Sequence, residues 1–233
     1  MATYTIKVIN GSTARQEFML FNAQPALSSS VGKAYTNVWV KSPSVMYPHG
    51  HATFVITDED FAVCGTTPQA LANGVVVTTG DYQAVSVTGS SPGTKAIVQV
   101  VDGGPGFTPA TGTTTLANSF AISVEPYNPI EYPNVYCGYG KYDSNNQVVP
   151  VTVWSAAPNM TYEITPNITY YIGTGDYKQG TTVDVTTIGP TCKIDFTKAP
   201  QPGMTVATTI LNNENVYSDP VFSYPADEVP GSS

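Results

Sequence analysis

The chain has 233 residues, 41% of them apolar and only 11% charged, with a net charge of −8. Nine Lys and Arg with no basic run argue against a nucleic-acid partner, which needs many cationic phosphate contacts, and against an anionic membrane surface. No apolar run reaches transmembrane length, so no membrane insertion is expected.

Polarity comes from Thr, Ser, Asn, Gln and Gly instead. Thr, Val and Tyr favour strands, while 20 Gly and 19 Pro break helices and make turns. An all-β protein follows. The N-terminal segment "TYTIKVI" puts Tyr4, Ile6 and Val8 on one face and Thr5 and Lys7 on the other, as a half-buried strand requires. It has no signal-peptide core, which fits a cytosolic protein, or a secreted one whose leader has been removed. "EFMLF", "YTNVWV", "ATFVIT", "GVVVTT", "YQAVSVT", "KAIVQVV" and "SFAISVE" follow, then "NVYCGYG", "VVPVTVW", "MTYEIT", "ITYYI", "TTVDVTT", "CKIDFT", "TVATTI" and "PVFSY". Turn-rich connectors separate them, and no segment carries a capped helical stripe. Such spacing is the signature of a sandwich or barrel.

An internal echo runs through the chain. Residues 53–57 read "TFVIT" and residues 161–165 read "TYEIT"; Gly65-Thr66 and Gly173-Thr174 keep the same offset of 108 residues. Val38-Trp39 and Val153-Trp154 precede them, each followed by a proline, Pro43 and Pro158. The echo predicts two similar antiparallel β-sandwich domains of immunoglobulin-like or jelly-roll-like type, 1–126 and 127–233, arising by duplication. The proline-rich stretch "EPYNPIEYP" would be the linker. One large continuous β-sandwich is the alternative.

Three places could carry chemistry. His49 and His51, the only histidines, have the i, i+2 spacing that lets two imidazoles on a strand share a metal, with Asp58, Asp60 or Cys64 as further ligands. The bland reading is a solvated loop, because Pro48 and Gly50 interrupt the strand. The loop "MYPHGH" has no counterpart in the second copy, where the stretch from Trp to the repeated pentapeptide is shorter. Asp58, Glu59 and Asp60 are oxygen ligands suited to calcium, or a charged hairpin tip that keeps an edge soluble.

The third place is aromatic. Eleven of the 15 tyrosines follow residue 126. Tyr132 and Tyr142, with Asp143, Asn145 and Asn146 beside them, could stack on and hydrogen-bond a sugar. Tyr136 alternates like a core residue, and Trp39 and Trp154 read as core. Catalytic motifs are missing: there is no G-x-S-x-G, H-E-x-x-H or P-loop. Cys64, Cys137 and Cys192 form no C-x-x-C and read as buried, reduced residues.

In composition and architecture the chain resembles small Thr/Val/Tyr-rich sandwich proteins such as fruit-body-type lectins; no functional residue is carried over from that resemblance. The expectation is a non-enzymatic, lectin-like carbohydrate-binding protein with glycans as partners, no cofactor, and a possible homo-oligomeric state. A structural, self-assembling β-protein and a metal-dependent protein using His49 and His51 are the alternatives.

Overall fold

The computed structural model describes residues 3–28 and 32–226. In chain order the first ten strands are β1 (Thr3–Asn10), β2 (Phe18–Asn22), β3 (Ala26–Leu27), β4 (Ala34–Asn37), β5 (Val40–Lys41), β6 (Gly50–Thr57), β7 (Asp60–Thr66), β8 (Asp81–Val85), β9 (Gly93–Val101) and β10 (Gly104–Phe107). The rest are β11 (Gly112–Thr114), β12 (Phe120–Val124), β13 (Val135–Tyr142), β14 (Val148–Ser155), β15 (Thr161–Thr165), β16 (Thr169–Thr174), β17 (Thr182–Val183), β18 (Thr191–Asp195), β19 (Val206–Leu211) and β20 (Val221–Ser223). Among the described residues there is no α-helix, and so none long and apolar enough to cross a membrane. The all-β, sandwich-like expectation holds.

Four sheets result, in the orders β20-β19-β1-β6, β10-β9-β12-β15-β3, β17-β4-β14-β13-β7-β8 and β18-β16-β2-β5. Every one of them joins strands from both sides of residue 126: β1 with β19, β12 with β15, β7 with β13, and β2 with β16. The strand pairing therefore runs across position 126/127 in all four sheets. The halves are interleaved, because strands distant in sequence complete each other's ladders. The echoed pentapeptides share a burial pattern, with Phe54 and Ile56 inward on β6 and Tyr162 and Ile164 inward on β15. They occupy different places: β6 ends its sheet, and β15 lies inside another.

The sheet holding β13 and β14 separates two apolar clusters. Side chains alternate across it with the strand period of two, interrupted by a bulge at Val151, where Tyr139 pairs with Thr152 and Gly140 with Pro150. Cys64, Cys137, Tyr139, Val151 and Trp154 enter the large core with Trp39 and Tyr170. Phe61, Val63, Tyr136, Val148 and Val153 enter the smaller one. Burial on both faces explains why β13 and β14 read as near-continuous apolar runs. Trp39 and Trp154 are core residues as expected, and so is Tyr136. All three cysteines are buried and reduced, with Cys64 and Cys137 directly opposite on β7 and β13. Burial pushes the Cys64 thiol up to about 12, with Asp81 adding to the shift.

Candidate functional site

The histidines and the acidic triplet sit at opposite ends of β6. His51 is opposite Ile9 and Thr57 is opposite Thr3, so the run from His51 to Asp58 spans about 23 Å of extended chain. Asp60 is engaged elsewhere. Its Oδ1 accepts from the Tyr139 hydroxyl at 2.7 Å and from Lys141 Nζ at 3.0 Å. Lys141 Nζ also donates to the Thr57 and Glu59 carbonyls, at 3.2 and 3.3 Å. This buried pair ties β13 to the β6–β7 hairpin. Among the described residues no three His, Cys, Asp or Glu side chains gather as metal ligands. The proposed set His49, His51, Asp58 and Asp60 is not assembled, because strand geometry separates its halves.

The tyrosine set is also divided. Tyr132 precedes β13 and Tyr142 ends it, so the strand, about 24 Å from end to end, lies between them. Tyr132 donates to Asp102 at 3.2 Å. Tyr142 is half-buried and packs edge-on against Phe61, ring centroids 4.7 Å apart. Asp143 organises its own hairpin: Oδ1 accepts from the Asn145 and Gln147 amides at 2.8 and 2.9 Å, and Oδ2 from Gln179 Nε2 at 3.0 Å. Asn146 adopts the left-handed conformation that the turn requires, φ 57°. Turn chemistry thus occupies the carboxylate that a sugar would use.

Two depressions stand out among the described residues. The first is a cleft of about 640 Å³ along β6. Leu20, Val45, Ala52 and Phe54, all buried, form its floor, and Pro43, Met46, His51 and Ser144 its rim. His51 and the hairpin residue Ser144, distant in sequence, thus meet at one opening. The 46–50 turn that delivers His51 is tight: His49 has φ 74°, its amide donates to the Asn10 carbonyl at 2.8 Å, and a Cβ at Gly50 would collide with the Met46 carbonyl.

The second is a polar groove of about 500 Å³ between β2, β16 and β18 on one side and β4 and β17 on the other. Asn22, Gln24, Asn73, Asp184 and Thr186 line it together with Tyr35 and Tyr171. Asn22 is fully buried, its Nδ2 donates to the Ala23 carbonyl at 2.6 Å, and its Oδ1 has no partner among the described residues. Lys33 lies over the Tyr35 ring, 4.9 Å from the centroid, leaving Tyr171 as the aromatic face of the groove. Asp184 Oδ1 accepts from the Thr186 hydroxyl at 2.6 Å and the Thr186 amide at 3.0 Å. These bonds, hydroxyl first, hold its carboxyl below its ordinary value of 3.8. The groove offers acceptors and amide donors around an aromatic wall, with no nucleophile–base arrangement in it.

None of the groove residues stood out in the sequence. They come from six separate segments between Asn22 and Thr191, and only the strand order brings them together.

A family model described as RhiA matches residues 1–218. No curated protein and no solved structure matches the chain.

Proposed function

The chain belongs to the RhiA family, and we propose that it is a non-enzymatic carbohydrate-binding protein whose site is the polar groove between β2/β16 and β4/β17. One observation carries this reading: Tyr171, three side-chain amides and an ionised carboxylate converge on a groove beside a buried amide oxygen without a partner. Sugars present apolar C–H faces and many hydroxyls. An aromatic ring takes the first, and amides and carboxylates that both donate and accept take the second. An unpartnered buried acceptor costs about 1–3 kcal/mol, and a side-chain turn of Asn22 toward a ligand hydroxyl would recover it. The volume of about 500 Å³ lies within the ordinary range of small-molecule sites.

The lectin-like function expected from the sequence is thus kept and its location moved. A glycan array followed by calorimetry tests it. Binding that is lost in the double substitution Asn73→Ala/Asp184→Asn supports the groove. No sugar bound at millimolar concentration removes the proposal.

A further inference from the structure

The open side of β6 has a property shared by no other sheet end among the described residues. The other terminal strands are blunted. β3, β5, β17 and β20 have two or three residues, β10 contains Pro105, β8 begins with Asp81, and β18 carries Lys193 and Asp195. Short length, charge and proline are the devices by which proteins keep sheet edges from pairing. β6 has none of them. It runs for eight residues, "GHATFVIT", in unbroken register with β1 and without a formal charge or a proline.

The hydrogen-bond pattern shows which backbone groups are offered. The Thr5 amide donates to the Thr205 carbonyl and the Gly11 amide to the Leu211 carbonyl, both at 2.8 Å. Odd-numbered residues of β1 therefore face β19, and even-numbered ones face β6. Their partners on β6 are Gly50, Ala52, Phe54 and Ile56. By strand alternation, the N–H and C=O groups of His51, Thr53 and Val55 point to the open side, along the cleft.

We propose that this cleft binds an extended peptide segment of another protein, which adds to β6 as a further strand. The site is separate from the sugar groove and does not depend on it. The donor–acceptor rhythm of His51, Thr53 and Val55 is complemented by a polypeptide backbone in β conformation, and the floor of Leu20, Val45, Ala52 and Phe54 takes an apolar side chain. The stretch from His51 to Val55 spans about 13 Å, enough for a short segment. Charge selects the flanks. The one lysine on the cleft, Lys41, is paired with Glu17 at 2.6 Å and Asp176 at 3.0 Å, which leaves one carboxylate in surplus at that end. The whole chain carries −8. An uncharged segment flanked by Lys or Arg is thus the complementary occupant. A second copy is a poorer fit: it brings another −8.

The probe is the peptide acetyl-Lys-Thr-Val-Thr-Val-Thr-Lys-amide, titrated by fluorescence anisotropy against the full chain. Two variants are compared with the parent. Val55→Pro removes one outward N–H, and Val55→Lys adds a like charge at an exposed position without touching the β1 ladder; circular dichroism checks their fold. Saturable binding is expected, weakened about tenfold or more by each variant that keeps the β-sheet spectrum. N-methylation of alternate peptide amides should abolish binding in one register and spare it in the other. No binding of the parent at about 1 mM, or binding indifferent to N-methylation, overturns the proposal. So does concentration-dependent dimerisation that Val55→Lys abolishes and the peptide does not compete with, since it would name a second copy as the occupant.

Discussion

The cleft along β6 and the groove beside β4 are similar in size, about 640 and 500 Å³, and opposite in chemistry. The cleft has an apolar floor and a backbone edge, so what it offers is main-chain geometry. The groove is lined by side-chain amides and hydroxyls, so what it offers depends on which residues the sheets bring together. The difference teaches that one charge-poor, Thr-rich surface carries two kinds of feature. A strand left unpaired offers backbone groups, and a gap between paired sheets offers side-chain amides and hydroxyls, the basis of the two proposals.

The largest effect is expected where the scaffold of the cleft is broken. Lys141 is buried and binds Asp60 and two carbonyls of the β6–β7 hairpin. Lys141→Met strands the Asp60 carboxylate and should lower stability by about 3–5 kcal/mol in denaturant titration. The rim lysine gives the contrast: Lys41→Ala, with exposed partners, should cost less than about 1 kcal/mol. A similar loss in both would erase the distinction between support and rim.

The next effect separates the two depressions. Asn73→Ala/Asp184→Asn should reduce sugar affinity by about tenfold or more with little change in thermal midpoint, since both side chains are exposed. Peptide binding at β6 should be unchanged. Calorimetry with each ligand on the same preparation measures both.

A smaller, signed effect concerns pH. Thr186 holds the Asp184 carboxyl below 3.8, so the ionised form persists to lower pH than in an unfolded chain. The contribution of this group is present above its unfolded value and is lost as pH falls through the depressed folded value. Sugar affinity should therefore stay flat from about pH 8 to pH 5 and decline only in stronger acid.

The smallest effect is a slow reaction. Burial raises the Cys64 and Cys137 thiols, Cys64 to about 12, so the reactive thiolate is scarce. Ellman's reagent should be slow to label the native chain at pH 8 and should label all three cysteines at once in denaturant.

The strand content was legible because alternation is a local property. "TYTIKVI" and "TFVIT" bury every second residue, as their sequences require. Tyr136, Trp39 and Trp154 were legible as core for the same reason. Partners were not legible. The echo of "TFVIT" and "TYEIT" records two strands with one burial pattern, but which strand lies beside which is set by long-range pairing across residue 126. The sites followed partners. His49, His51, Asp58 and Asp60 are close in sequence and far apart along β6, whereas Asn22, Asn73 and Asp184 are far in sequence and share a groove. Asp143 could be read as a sugar ligand or as a turn residue, and its bonds to Asn145 and Gln147 are those of a turn.

The central claim is that the groove, and not the tyrosine-bearing hairpin, takes carbohydrate. The most direct test is an amide chemical-shift titration of the isotopically labelled chain with sugars selected by the array. The account predicts saturable shifts clustered at Asn22, Asn73, Tyr171, Asp184 and Thr186. Shifts centred on Tyr142, Asp143, Asn145 and Asn146, or none in any region, would contradict it.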